Sequence, residues 1–209
     1  RYDDTVTANA GDNLVIGDSG RITAASTDGA QFGVAMTYGL IETVEFGDGG
    51  VDTITTLGGK DIVLGGHEGD SINAGDGNNI VLGDDGKIDY TRVDRATEPG
   101  ADSDPSDIDL IESLSTAAAG GVDTIITGAG SDIIIAGRYD DTVTANAGDN
   151  LVIGDSGRIT AASDAAPNWP GQTMSIGKIE TIEPDDGGDD TITTLGGDDI
   201  ILGGTASDT

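Results

Sequence analysis

The sequence predicts an all-β chain wound as a solenoid of short stacked strands, and three observations carry that prediction. Blocks of nine residues recur in register, an aliphatic side chain returns at the same place in each block, and turns rich in Gly and Asp separate them. Aromatic residues make up only 3% of the chain, while Ile, Val, Leu and Ala supply most of the apolar side chains. Such side chains fill a thin core inside a narrow coil better than a thick globular one.

The repeats have three levels. The longest is literal: residues 1–26 and 138–163 both read RYDDTVTANAGDNLVIGDSGRITAAS. At the middle level Asp-Thr-Ile recurs at Asp52, Asp123 and Asp190, 71 and then 67 residues apart. The chain therefore divides into the end of one module (1–46), two whole modules (47–117 and 118–184) and the start of another (185–209). At the finest level the module from Gly47 reads GDGGVDTIT, TLGGKDIVL, GGHEGDSIN, AGDGNNIVL, then GDDGKI. The module from Ala118 reads AAGGVDTII, TGAGSDIII, AGRYDDTVT, ANAGDNLVI, then GDSGRI. The sixth place holds Asp52, Asp61, Asp70 and Asn79 in one module, and Asp123, Asp132, Asp141 and Asn150 in the next. The eighth holds Ile54, Val63, Ile72 and Val81, then Ile125, Ile134, Val143 and Val152. A side chain that is apolar every nine residues stacks along the coil and buries against the facing sheet. Its neighbours are expected to face solvent, as strand alternation requires.

The charge narrows the partners. With 39 Asp and Glu against nine Lys and Arg, the formal net charge is −30. Such a chain repels nucleic acid and anionic membranes, and its self-repulsion opposes compaction. Carboxylate and carbonyl oxygens suit Ca²⁺, which would offset that repulsion. An acidic disordered segment would share the composition, but not the periodic apolar residues. The absence of Cys excludes a disulfide framework and thiolate metal sites. The longest apolar run, Ile133-Ile134-Ile135-Ala136, is far short of the ~20 residues of a membrane span. No signal peptide is visible and the first residue is Arg1, so both ends are read as lying within a longer chain.

These blocks resemble the RTX (haemolysin-type) calcium-binding nonapeptide, G-G-x-G-x-D-x-U-x with U a large aliphatic residue. In-register nonads cover roughly half of the chain. The resemblance implies a right-handed parallel β-roll, with six turn residues and a three-residue strand per nonad and two nonads per coil. It places Ca²⁺ between a turn and the turn eighteen residues on. That rule pairs Asp52 with Asp70, Asp61 with Asn79, Asp123 with Asp141, Asp132 with Asn150, and Asp190 with Asp208. It leaves Asp4 and Asn13 to pair with residues before the chain's start, and Asp199 with one beyond Thr209. Asn13, Asn79 and Asn150 replace the charged ligand, so their sites should be weaker. Glu68 and Tyr139 stand at the fourth place, where Gly is expected. Ile22, Ile88 and Ile159 stand at the sixth place of each fifth block, ending the Asp ladder. Asp18, Asp84 and Asp155 in those blocks either cap the last calcium or are ordinary turn residues.

Between the ladders, at 23–46, 89–117 and 160–184, nonads stop. Each segment opens with a strand-like stretch (21–24, 87–91, 158–161) and closes with another of alternating pattern (40–44, 110–114, 178–182). They are expected to be larger coils or hairpins continuing the same sheets, with a loop projecting sideways. At about 18 residues per coil and ~4.8 Å per coil, the rod would be about 50 Å long or somewhat less. Trp169, in Pro167-Asn168-Trp169-Pro170, is expected to cover the end of the roll rather than to contact a sugar or partner; Phe32, Tyr38 and Phe46 are read the same way.

Three functions compete. A structural or adhesive array, forming a stalk or extracellular fibre, is favoured by the 26-residue literal repeat, because recent duplication is how long arrays grow. The alternative is the C-terminal calcium-binding RTX domain of a secreted enzyme. Catalysis within the chain has no support, since the single His67 lies in a Gly-rich turn with no motif around it. The favoured reading implies a bacterial extracellular or cell-surface protein, exported unfolded by the type I route that the resemblance implies. Its partners would be calcium and adjacent repeats of the same chain, with lateral self-association a further partner class.

Overall fold

Strand periodicity and nonad register build three six-stranded sheets from eighteen strands, numbered in chain order. The computed structural model describes residues 2–25, 36–92, 105–114, 120–162 and 169–209. No helix occurs among them.

The odd nonads form the first sheet: β1 (Thr5–Thr7), β5 (Thr53–Thr55), β7 (Ser71–Gly75), β11 (Thr124–Thr127), β13 (Thr142–Ala147) and β17 (Thr191–Gly196), stacked in that order. The even nonads form the second: β2 (Leu14–Ile16), β6 (Ile62–Gly66), β8 (Ile80–Asp84), β12 (Ile133–Gly137), β14 (Leu151–Asp155) and β18 (Ile200–Leu202). Every pairing within these two sheets is parallel. The eighth-place residues align rung by rung, Ile54 on Ile72, Ile72 on Ile125 and Ile125 on Val143. Facing them run Val63, Val81, Ile134 and Val152. Together they form the thin inner core between the sheets. Burying one such side chain contributes about 1.5–3 kcal/mol, so the stack stabilises through repetition.

The hairpins do not continue these sheets. They pair with one another into a third, antiparallel sheet: β3 (Gly20–Ala24), β4 (Tyr38–Thr43), β9 (Gly86–Asp89), β10 (Leu110–Ser113), β15 (Gly157–Ala161) and β16 (Ile176–Thr181). This sheet covers the outer face of the second. Ile41, Ile88, Ile111 and Ile159 pack there with Leu64, Leu82, Ile135 and Ile153. The expectation that strand neighbours face solvent therefore holds only for the first sheet, whose strands read Thr-Ile-Thr or Ser-Ile-Asn. Strands of the second sheet, Ile-Val-Leu and Ile-Ile-Ile, are apolar at three successive places because both faces are covered. Ile22, Ile88 and Ile159 replace Asp at the sixth place for the same reason: these residues belong to the third sheet.

Each hairpin carries a cation on its first strand and a glutamate on its second. Arg21, Glu42, Lys87, Glu112, Arg158 and Glu180 therefore line up across the third sheet, one per strand. Glu112 bridges Lys87, at 2.8 Å, and Arg158. Burial alone would raise its pKa; the two cations more than offset that and lower it.

The stack is shorter than the expected 50 Å. Six rungs span five strand spacings, about 24 Å. Much of the chain is spent laterally in hairpins instead of lengthening the coil. Trp169 is likewise displaced from the expected place. It is buried on the flank in the same core as Ile80, Ile108 and Met174, not at an end of the roll. Tyr38 packs beside Tyr90, ring centres 6.2 Å apart, while Phe32 lies outside the described residues.

Candidate metal-binding turns

The two edges of the roll, where chain passes between the first and second sheets, hold all the sixth-place residues. From the second rung on, each sixth-place Asp or Asn Oδ1 accepts a hydrogen bond from the backbone N–H of the sixth residue one rung earlier. The five eighteen-residue pairs meet in this way: Asp52 N to Asp70 at 2.7 Å, Asp61 N to Asn79 at 3.0 Å, Asp123 N to Asp141 at 2.7 Å, Asp132 N to Asn150 at 3.2 Å and Asp190 N to Asp208 at 3.2 Å.

The ladder does not stop at the hairpins. Asp4 N donates to Asp52 and Asn13 N to Asp61, 48 residues on, each at 2.8 Å. Asp70 N donates to Asp123 at 2.6 Å and Asn79 N to Asp132 at 2.8 Å, 53 residues on. Asp141 N donates to Asp190 and Asn150 N to Asp199, 49 residues on, each at 2.9 Å. Asp4, Asn13 and Asp199 thus have partners within the chain, contrary to the expectation that those partners lie outside it. The eighteen-residue rule misses these pairs because a hairpin is spliced into every second coil on one edge. The sequence signal was the return of in-register nonads on either side of each insertion.

The contacts sort the residues into two edges. One carries Asp4, Asp52, Asp70, Asp123, Asp141, Asp190 and Asp208, a carboxylate at every rung. The other alternates Asn13, Asp61, Asn79, Asp132, Asn150 and Asp199.

Asp18, Asp84 and Asp155 do a different job. The Asp18 carboxylate accepts from Gly50 N at 3.2 Å and His67 N at 2.7 Å; Asp84 accepts from Gly121 N at 2.9 Å and Arg138 N at 2.6 Å. Asp155 accepts from Gly188 N at 3.0 Å and Thr205 N at 2.5 Å. Each staples the end of a hairpin to the next coil with both of its oxygens. That is a backbone-capping role.

Away from the outer rungs, the ladder carboxylates are buried and half-satisfied. Asp52 and Asp123 are 0% exposed and Asp141 is 1% exposed. While Oδ1 holds the previous rung, Oδ2 of Asp52, Asp61, Asp70, Asp123, Asp132, Asp141 and Asp190 has no hydrogen-bond partner. On the all-Asp edge, Oδ2 of Asp70 lies at Gly65 in its own turn and Oδ2 of Asp123 at Gly83 before the hairpin, each beside a carbonyl of the next rung. A Cβ on Gly65 would overlap Asp70 Oδ2 and Gly83 O, and one on Gly83 would overlap Asp123 Oδ2 and Ala136 O. Glycine at these places leaves a cradle in which only oxygens converge.

Without a cation, that arrangement is unfavourable. Burial, then neighbouring carboxylates, push Asp70 up to about 8, Asp141 up to about 9 and Asp190 up to about 7. Burial, with the charges of Asp84 and Asp141 next, holds Asp123 well above the usual carboxylate range. On the alternating edge, burial raises Asp132 to about 6. A hard cation would supply the missing partner for each Oδ2 and remove the repulsion at once. Among the described residues no three His, Cys, Asp or Glu side chains converge as a metal site. The donors that fit a cation here are therefore carboxylates of successive rungs together with backbone carbonyls, as suits an ion that takes six to eight oxygens.

Two turn places depart from Gly at a cost. Glu68 and Tyr139, at the fourth place, adopt φ of 71° and 72°, a left-handed conformation that L side chains resist.

The family model described as the RTX calcium-binding nonapeptide repeat (four copies) matches residues 1–21, 46–81, 118–138, 126–158 and 185–209. No curated protein and no solved structure matches the chain significantly.

Proposed function

The chain belongs to the RTX calcium-binding nonapeptide repeat family, whose repeats bind Ca²⁺, and on that premise we propose that it is a calcium-stabilised structural stretch of a long bacterial surface or matrix protein. As a calcium-binding repeat region of a secreted protein it is structural, not catalytic. The finer reading is an adhesin stalk or extracellular fibre built from modules such as 47–117 and 118–184. The observation that carries it is the carboxylate ladder, which runs through three hairpin-bearing coils without a break in register. Each added module would extend the same two ladders and three sheets, so length costs no new architecture.

In this reading Asp52, Asp70, Asp123, Asp141 and Asp190, with Asp4 and Asp208 at the outer rungs, are calcium ligands on one edge, and Asp61, Asp132 and Asp199 on the other. Asp18, Asp84 and Asp155 hold backbone. Calcium binds the stacked turns and not the unfolded chain, so it stabilises by mass action, about 2.7 kcal/mol per site at a hundredfold excess over Kd. Extracellular calcium modules bind at about 10⁻⁴–10⁻³ M. The chain would then be unfolded at cytosolic calcium, pass through a type I exporter as a polymer, and stiffen outside the cell.

Two experiments test the proposal. Circular dichroism of the chain in chelator and then in millimolar Ca²⁺ should show β-sheet signal only with calcium; equal signal in both would end the folding switch. Electron microscopy of the intact parent protein should show a long thin fibre. A compact enzyme with a single short roll attached would favour the secreted-enzyme reading instead.

A further inference from the structure

The alternating edge contains an internal comparison between Asn and Asp in the same turn. Both residues present Oδ1 identically: Asn79 Oδ1 accepts from Asp61 N as Asp132 Oδ1 accepts from Asn79 N. The remaining atom of the side chain, Nδ2 in one and Oδ2 in the other, is therefore placed alike in its own turn. For Asn79, Nδ2 donates to the carbonyls of Gly75 and Gly77, at 3.1 and 3.3 Å. For Asn13 it donates to Asn9 O and Gly11 O, at 2.8 and 2.6 Å, and for Asn150 to Asn146 O and Gly148 O, at 3.4 and 3.0 Å. The same two carbonyls, at the second and fourth places of the turn, are used each time. Asn13 and Asn150 also donate to the next rung's carboxylate, Asp61 at 2.9 Å and Asp199 at 3.1 Å.

In the Asp turns of this edge the corresponding atom is an oxygen, which cannot donate. Oδ2 of Asp61 and of Asp132 is buried with no partner. Asn79 and Asp132 are both 0% exposed, so water does not distinguish them.

We infer that the side-chain amides of Asn13, Asn79 and Asn150 stand in for a bound cation in their own turns, so that this edge takes calcium only at Asp61, Asp132 and Asp199. The opposite edge, Asp at every rung, takes it throughout. The roll thus has one edge that calcium must assemble and one that is half closed by the chain itself. At low calcium the Asn turns would keep every second rung of one edge bonded while the all-Asp edge opens. The inference rests on the calcium reading of the Asp turns, and refines which turns are sites.

The test counts calcium per folded chain by equilibrium dialysis and atomic emission at saturating Ca²⁺, for the whole chain and for Asn79→Asp and Asp132→Asn. The unaltered chain should bind calcium; no binding would overturn the calcium assignment itself. Given binding, Asn79→Asp should hold one more ion per chain, because a cation-requiring turn has been created. Asp132→Asn should hold one fewer and need less calcium to fold, read as a lower midpoint in a circular-dichroism titration. If Asn79→Asp binds the same number as the unaltered chain, the Asn turns already hold metal and the inference is wrong. If Asn79→Asp does not fold, Asp132→Asn decides alone: an unchanged ion count, or a higher calcium midpoint, overturns it.

Discussion

Replacing Asp123 with Asn should change stability in opposite directions with and without calcium. Asp123 is fully buried, accepts from Asp70 N at 2.6 Å through Oδ1, and leaves Oδ2 unpaired among Asp70, Asp84 and Asp141. The Asp123→Asn side chain would keep the Oδ1 contact and turn the orphan acceptor into a donor. Leaving a buried polar group unsatisfied costs about 1–3 kcal/mol, and more for a charge, so the substitution should stabilise the metal-free roll by at least that order. In saturating calcium the sign reverses. A ligand shared by successive rungs is lost, and losing one site at a hundredfold excess over Kd costs about 2.7 kcal/mol. For a chain of this size each kcal/mol moves Tm by roughly 2–4 °C, so Tm in calcium should fall by about 5–10 °C. The assay is circular dichroism: melts in saturating Ca²⁺, and residual sheet signal in chelator. A shift of the same sign in both conditions would refute the idea that Asp123 Oδ2 waits for a cation.

Acidity should mimic calcium. Folded-state pKa values raised to about 8 for Asp70 and Asp84, about 9 for Asp141 and about 7 for Asp190 mean that the metal-free roll holds protons the unfolded chain releases near pH 4. That stability is fully present below pH 4 and is lost as pH rises through 7–9. In chelator, sheet signal should therefore be greater at pH 5 than at pH 9, and the opposite trend would contradict the burial argument. Gly77→Ala should destabilise by more than about 1 kcal/mol in urea melts, since φ is +127° and a Cβ would overlap the backbone carbonyl of Gly59. Glu68→Gly, at φ 71°, should instead be neutral to stabilising by about 1 kcal/mol, and a clear loss of stability would show that the Glu68 side chain has another role. Trp169 is the only Trp in the chain and is buried in the flank core, so its fluorescence should be blue-shifted in calcium and move red in chelator; unchanged emission would mean that the third sheet persists without metal.

The coil itself was legible in the sequence because it rests on local chemistry repeated many times. Gly-rich turns, an aliphatic residue at every eighth place and Asp or Asn at every sixth are short-range requirements, and each nonad states them afresh. The same repetition marked Asp52, Asp70, Asp123 and their counterparts as one class of residue. The strand stretches flanking each hairpin were also readable, since alternation over five residues, as in Leu40-Ile41-Glu42-Thr43-Val44, marks one buried face.

Tertiary structure alone decided where those faces go. Whether a hairpin extends a parallel sheet or pairs with hairpins from other coils depends on what lies beside it, and those neighbours are far away along the chain. The third sheet formed because the even strands, Ile62-Val63-Leu64 or Ile133-Ile134-Ile135, offer an apolar outer face that must be covered. The odd strands, with Thr and Ser outward, offer none. Covering that face sends each hairpin back to the coil next to the one it left. Asp70 therefore meets Asp123, and Asp18, Asp84 and Asp155 meet the amides that close the gap. A nonapeptide read by itself specifies a turn that needs a cation or an amide; only the stacking of coils specifies which carboxylates share it.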